Sequence, residues 1–547
     1  MKTVLLSIFI FSSTIKAQDF VQLKIDSVLD VYNNKTQPGF SVGIVKDGKL
    51  IFSKGFGLSN LEYNIYNSDT SVHQVASITK QFVASCVWAL IKQNKLSLDD
   101  DIRKYLPELP EYGHVIKIKH LLNHTSGLRN YHALMNLSGF DYDRDYYDNY
   151  TVLNIASKQK ALNNIPGQKV IYGNTSYNLA AMIVERISET NLNEFAAEFI
   201  FKPLGMTSTF VCTENNSTVR NRAVGYVQNK NNTFSQYPKI QCSYGAGGIN
   251  STILDMAKWS LIFTNENHLY KELKEFLVYK DLLPTSTKSS YARGVIVDDY
   301  NGLETIHHSG FSLGSQSQTI SIPKLSLSVI ILANSNSIDP VALSYKIIDL
   351  FISETQDQEG TKPSFIYSNT TLQKYIGQYQ EINSDMKMEL IVENDTLKVK
   401  GSQSKKFISL VPFQINMFYR KNNETVTYEF PLERLNDYDM KIDHGGAPFY
   451  FKRVVFDKES QNHLNEFTGK FYSSELDVSY LLTIVNGKLM MSYKDHEPTI
   501  LFSGQKDEFG NGNRVLYSFK RNNKQLITGF SIASEGTVKD IEFIKTN

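Results

Sequence analysis

A chain of 547 residues with 41% apolar and 21% charged residues has the make-up of an ordinary folded protein, too long for one core, and about two to four domains are expected. Its 57 Lys+Arg nearly cancel its 56 Asp+Glu, so overall charge gives no support to a nucleic-acid or acidic-surface role. Three cysteines exclude a disulfide scaffold.

The N-terminus reads Met1-Lys2-Thr3, an apolar run from Val4 to Phe11, then Ile15-Lys16-Ala17-Gln18. A basic start, a short apolar stretch and a small residue before a polar one predict a cleaved export signal over 1–17 and a periplasmic or secreted protein. No later stretch has the ~20 uninterrupted apolar residues of a membrane span. Two strand-like runs, Phe40–Val45 and Leu50–Lys54, flank Asp47-Gly48, a hairpin signal. Gln81 to Ile91 has helical spacing, with Phe82, Cys86 and Leu90 on one row; Cys86 reads as a small core hydrophobe. Short helices and loops fill 100–260. Strand patterns return at Arg293–Val297, Glu304–His308, Gln316–Ile322 and Leu327–Leu332, and a helix with Val341, Tyr345, Ile348 and Phe351 follows. Residues 18–352 thus read as an α/β layer domain with a helical insertion. Cys212 and Cys242 could pair in an oxidising compartment, but spacing alone does not bring them together.

Residues 353–370 are polar, hold Gly360 and Pro363, and read as a linker. The remainder alternates, is rich in Tyr and Phe, and repeats itself. Leu372 to Tyr379 matches Leu464 to Phe471 at a shift of 92, which also carries Leu397 onto Leu489, Phe449 onto Ile541, Phe451 onto Phe543 and Arg453 onto Lys545. Two small antiparallel β-barrels are expected, at 371–456 and 463–547.

Three patterns carry chemistry. Ser77-Ile-Thr-Lys80 opens the amphipathic helix; positions i and i+3 share a face, so an amine lies beside a hydroxyl and can take its proton. Alone, the pattern arises often by chance, and Ser77 could be a helix cap. Tyr172-Gly173-Asn174 follows Pro166-Gly167 and precedes the helix-like Tyr177–Ile187, offering a phenol for proton transfer and an amide for a carbonyl. His308-Ser309-Gly310 lies between predicted strands, where a strong donor, a hydroxyl and a glycine would bind a carboxylate and let substrate lie along the edge. His307 falls on the opposite strand face and receives no role.

Taken in order, the three motifs resemble those of the serine β-lactamase and D-Ala-D-Ala carboxypeptidase family, nearest the class C and low-molecular-weight penicillin-binding branch. The likeness spans about residues 20–352. It extends to Ile118–Leu128, Ile165-Pro-Gly167, Phe201–Met206 and Gly245-Ala-Gly-Gly-Ile-Asn-Ser-Thr252 with Asp255. It implies an antiparallel sheet flanked by helices with an all-helical insertion. It also implies a serine hydrolase in which Ser77 forms an acyl-enzyme, Lys80 and Tyr172 move protons, and Asn174, His308, Ser309 and Gly310 bind substrate. The N–H groups of Ser77 and Phe311 would form the oxyanion hole. No cofactor or metal is implied, the partner is a small-molecule or peptide substrate, and oligomeric state is left open.

His308 stands where the family usually has Lys, so a permanent charge becomes conditional on pH. Members resembling D-aminopeptidases and some D,D-carboxypeptidases share that His, and D-aminopeptidases carry similar paired barrels. The expectation therefore shifts toward D-amino-acid peptides, amides or esters, with a β-lactamase or a non-hydrolysing penicillin-binding sensor as alternatives. His120 and His124 lack a third ligand at metal spacing and are read as structural. Asp99-Asp100-Asp101 reads as a hydrated turn or helix start, and Asp141 to Tyr150 as a surface loop that edges the substrate cleft.

Overall fold

Asp47 and Gly48 both take positive φ, 50° and 77°, the backbone of a tight hairpin turn, so Phe40–Lys46 pairs antiparallel with Lys49–Phe56. The computed structural model describes residues 23–546 apart from 143, 215, 238–240, 267–268, 284–288, 353–364, 432–437, 445 and 456–462. The expected export signal and most of the expected linker lie outside the described residues. The chain divides into two compact units: Met1–Leu96, Val184–Tyr279 and Ala292–Thr361 make the first, and Ser97–Ile183, Lys280–Tyr291 and Lys362–Asn547 the second.

The first unit is built on a six-stranded antiparallel sheet in the order Ile296–Tyr300, Leu303–Ser312, Ser315–Ile322, Leu327–Ala333, Phe40–Lys46, Lys49–Phe56. One face buries Val42, Ile44, Ile320 and Ile331 against Ile25 and Leu29 of the helix at 23–30 and against Leu343, Ile347 and Phe351 of Pro340–Ile352. The other face carries the helices Thr79–Lys92 and Ile253–Thr264. There Gln81 accepts from the Trp259 indole at 2.6 Å and donates to Thr319 Oγ1 at 3.4 Å, tying both helices to the sheet. The strand expected at Arg293–Val297 begins later, at Ile296, because Ala292 N–H bonds Val295 O and holds 292–295 in a turn.

The second unit joins helices of the Ser97–Ile183 stretch to two β structures. Eight strands, Gly377–Glu381 through Pro448–Val454, form a closed barrel. Nine strands form the second; its edge strands, Thr499–Ile500 and Phe502–Ser503, are separated only by Leu501, so the sheet wraps into a barrel-like ring. The shift of 92 has a physical basis. Gly377 and Gly469 both take φ values that favour glycine, 155° and 137°. A Cβ on either would crowd the repeat-matched cation, Arg453 or Lys545, at 3.0 and 2.7 Å. Each cation lies over the matched aromatic ring, Tyr379 or Phe471.

The second barrel-like sheet does not close on its own side chains alone. Ala133, Leu134 and Leu137 of the helix Tyr131–Leu137 belong to the same buried cluster as Phe467, Phe471, Tyr480, Phe530 and Phe543. Tyr480 Oη donates to Leu137 O at 2.7 Å. Burying each leucine contributes about 2 kcal/mol. Beside this plug, Arg129 (0% exposed) pairs with Glu475 (4%) at 2.6 Å; Arg129 also donates to Gln159 Oε1 and Asp540 O, and Glu475 accepts from Lys160 N. The tight turn before the last strand adds a third tie: Thr537 O accepts from Asn130 N at 3.2 Å and Asn163 Nδ2 at 2.6 Å.

Taking the charge from one partner of a buried ion pair leaves the other desolvated and uncompensated. Glu475→Gln is therefore expected to lower the unfolding free energy by about 3–5 kcal/mol, read by chemical denaturation, whereas Lys160→Ala, which keeps the backbone donor, should cost far less.

Candidate active site

Ala76 takes φ 47°, a left-handed conformation that costs a residue with a side chain on the order of 1 kcal/mol or more. Three bonds hold it there: Val75 N–H donates to Ile249 O, Ser317 Oγ to Val75 O at 2.8 Å, and Ile249 N–H to Thr79 Oγ1 at 3.1 Å. The 3₁₀ turn Ala76–Ile78 then runs into Thr79–Lys92 without a side-chain cap at either start. The capping explanation of Ser77 therefore fails. Ser77 is half-buried while Ala76, Ile78, Thr79 and Lys80 are buried, so Ser77 is the residue of this turn that keeps solvent exposure.

Lys80 is 0% exposed. Its Nζ lies 3.0 Å from Ser77 Oγ and donates to Ala246 O at 2.9 Å. Burial pulls its pKa well below the usual lysine range, which favours the neutral amine. In that form the Ser77 contact can run the other way, hydroxyl to lone pair, and is the geometry of general-base activation. Ala246 belongs to a stretch singled out in the sequence only for its family likeness; its role is carried by a backbone carbonyl, which no residue pattern announces.

His308, Ser309, Gly310 and Phe311 sit on Leu303–Ser312. The edge strand Ile296–Tyr300 pairs with it only over Leu303–His307, so from Ser309 onward that edge has no strand partner among the described residues. Gly310 has a reason beyond leaving an edge open. A Cβ there would overlap Val75 O and Ser317 Oγ and come within 3.0 Å of Ala76 Cβ, so the glycine lets the Ser77 turn seat on the strand. Ser309 and Phe311 are exposed.

His308 corrects the expectation of a pH-conditional cation. It is 3% exposed, and burial, with the Lys80 charge second, pulls its pKa down to about 3. The ring is neutral across the physiological range. Its Nδ1 lies 2.5 Å from Ser309 O; a carbonyl only accepts, so Nδ1 carries the proton and Nε2 is the acceptor. His307 is also buried, on the opposite strand face, with its pKa lowered to about 4 by burial.

In the second unit Tyr172-Gly173 leads directly into the helix Asn174–Ser188, which starts three residues earlier than its apolar pattern does. Tyr172 packs on His124 at 4.3 Å and Tyr291 at 5.8 Å. His124 O accepts from Ile171 N at 2.9 Å and its Nδ1 from Gly173 N at 3.4 Å. Asn174 N donates to Asn130 Oδ1 at 3.1 Å, and Asn174 Nδ2 lies 3.0 Å from His132 Nδ1. Asn130 and His132 escaped the sequence reading: a seven-residue helix is too short to display a periodic face.

His120 Nδ1 accepts from Lys117 N at the start of Ile118–Leu122. Among the described residues no group of three or more His, Cys, Asp or Glu could hold a metal ion. Asp101 accepts from Arg103 N and caps a 3₁₀ turn, and Asp99 is held near pKa 2 chiefly by Lys119 and Lys117. The run Asp141 to Tyr150 is more than a surface loop. Tyr147 is buried, Asp148 caps the helix Asn149–Ser157, and Tyr142 and Tyr147 pack around His132.

Gly310→Ala is expected to push the Ser77 turn off the strand and reduce acylation of Ser77 at least ~10-fold with small change in Tm. A serine-reactive fluorophosphonate reads the rate; an unchanged rate would mean that the turn does not depend on this contact.

Residues 25–349 match the Beta-lactamase family model. Protein flp of Staphylococcus aureus (strain MRSA252) is 26% identical over 325 residues, 58% of this chain and 63% of that protein; the chain thus spans a little under two thirds of that relative. Among solved structures, the octameric penicillin-binding protein homologue from Pyrococcus abyssi aligns with TM-score 0.54 and 21% identity, over 88% of this chain and 99% of that one. The D-amino acid amidase from Ochrobactrum anthropi SV3 complexed with D-phenylalanine aligns with TM-score 0.51 and 19% identity, over 62% and 99%. On the extent of the family match, the chain belongs to the beta-lactamase family.

Proposed function

We propose that the protein is an exported serine hydrolase that forms an acyl-enzyme at Ser77 and acts on amides, peptides or esters of D-amino acids. The observation that carries this reading is the buried Lys80 amine 3.0 Å from the hydroxyl of the half-buried Ser77. Ser77 Oγ attacks the substrate carbonyl and its proton passes to Lys80; the N–H groups of Ser77 and Phe311 receive the developing oxyanion. Collapse expels the leaving group, which takes a proton, and water then releases the acyl group. Roles for Tyr172 as second proton carrier, and for Asn174 as carbonyl ligand, rest on motif order. Export rests on the N-terminal pattern alone.

The substrate class is supported by His308. A neutral ring cannot grip a carboxylate as a permanent cation would, which turns the reading away from substrates held by such a charge. The fold shared with a D-amino acid amidase agrees with it. A fluorophosphonate should label the wild type and not Ser77→Ala; equal labelling of both would overturn the nucleophile. D-amino-acid amides, D-peptides and short esters should turn over faster than a cephalosporin, and the reverse order would favour a β-lactamase. A stable acyl-enzyme that releases no product on any substrate would favour a sensor.

The pH dependence has a definite sign. Only neutral Lys80 accepts the Ser77 proton, so acylation falls tenfold per unit as pH drops below the Lys80 pKa. Because burial lowers that pKa, the fall is expected well below the ordinary lysine value of 10.5, with a plateau above it. Lys80→Ala should lower the acylation rate by about 10²–10⁴-fold and abolish this limb.

A further inference from the structure

The loop that presents Ala246 to Lys80 is rich in glycine, which gives its backbone little stiffness of its own. Gly245 and Gly248 take φ 116° and 103°, and Gly245 N–H donates to Gly247 O at 2.9 Å, closing a turn around Ala246. The exit of the loop is held by backbone groups: Cys212 N–H donates to Gly248 O at 2.8 Å, and Ile249 N–H to Thr79 Oγ1 at 3.1 Å. The entry is held by side chains. Cys242 gives a thiol bond to Thr213 O, and two residues nearer to Ala246, Tyr244 Oη donates to Glu185 Oε1 at 2.8 Å. Glu185 lies on the helix Asn174–Ser188, half-buried. The same Oε1 accepts from Leu192 N–H at 2.9 Å, so the start of the helix Leu192–Ala196 fixes the acceptor in turn. The stem of Tyr244 also meets the exit, since a Cβ on Gly248 would come within 2.7 Å of Tyr244 Cβ.

We infer that Tyr244 and Glu185 are positioning residues, a phenol–carboxyl tie that holds the Ala246 carbonyl against the Lys80 amine. A neutral amine has two N–H bonds and one lone pair. When one N–H is given to Ala246 O, at 2.9 Å, rotation about the last side-chain bond is restricted. The lone pair is then aimed at the Ser77 hydroxyl, 3.0 Å away, as proton transfer requires. Where Ala246 O drifts, the amine stays buried but turns, and the hydroxyl loses its aligned base. Such a loss falls on the rate of acylation and not on the binding of the reagent. The effect on Ser77 rests on the hydrolase reading; the tie and its hold on the loop do not.

The test compares the full-length wild type with Tyr244→Phe, Glu185→Gln and Glu185→Ala, by amide exchange and by fluorophosphonate labelling of Ser77. Tyr244→Phe keeps the ring stem against Gly248 and removes only the donor. Its amides over 243–248 are expected to exchange about tenfold faster. Its limiting rate of labelling should fall about tenfold, with the half-saturating concentration of the reagent unchanged. Glu185→Gln retains an acceptor oxygen and should stay within about twofold of the wild type in both readouts. Glu185→Ala should match Tyr244→Phe, and the double variant should be no slower than either, because the two groups act as one. Glu185→Ala also releases Leu192 N–H; if it folds poorly, Tyr244→Phe and Glu185→Gln decide the matter between them. Unchanged exchange over 243–248 in Tyr244→Phe would overturn the proposal. So would faster exchange with an unchanged labelling rate, or a loss confined to the half-saturating concentration. Absence of label in the wild type would count against the hydrolase reading, while exchange still decides the tie.

Discussion

Taking an amine out of water is costly unless its surroundings are built for it, and the first unit is arranged around one such group. Lys80 Nζ has the Ser77 hydroxyl and a loop carbonyl as partners, and the same burial that lowers its pKa suits it to accept a proton. The neighbours follow from this placement. The Ser77 turn must sit tightly enough on its strand to hold the hydroxyl over the amine, which leaves no room for a side chain at Gly310. His308, buried in the same surroundings, is kept neutral chiefly by that burial. The reactive pair and the uncharged histidine are two results of one desolvated site.

The second unit solves a different problem. Tyr172 and Asn174 stand at the start of a helix, and their orientation is taken from His124, Asn130 and His132. Asn130 and His132 are in turn fixed by a helix whose apolar side fills the core of the second barrel-like sheet. Arg129 and Thr537 O bracket the same short stretch. The C-terminal sheet is thus continuous in packing with the residues that orient the second motif, and its removal would expose Leu134 and Leu137 rather than simply shorten the chain.

How much of this was legible depends on whether the signal was local. Ser77 and Lys80 could be read because three positions along a helix put them on one face, and the hairpin because Asp47-Gly48 suits few other conformations. The duplication was visible because Gly377 and Gly469 meet the same backbone requirement, and Arg453 and Lys545 fill the same place over an aromatic ring. The neutrality of His308 was not legible, since burial depends on what other segments bring. Nor was the part played by Ala246, which acts through an atom every residue has. The plug formed by Ala133, Leu134 and Leu137 was hidden for a third reason: its partners begin more than 300 residues later, and no periodicity reports a contact that distant.

That distance bears on how the protein is made. Arg129 and Glu475 are 346 residues apart, and at about 5–20 residues per second a ribosome needs roughly 17–70 s to pass from one to the other. Throughout that interval the helix Tyr131–Leu137 has left the ribosome without the core that will enclose it. Contacts of this span must wait for chain closure and fold slowly, so the helical layer is the segment a holding chaperone would protect. The strand Val538–Thr546 completes the enclosure, so its pairing is the step that commits the unit to its native form.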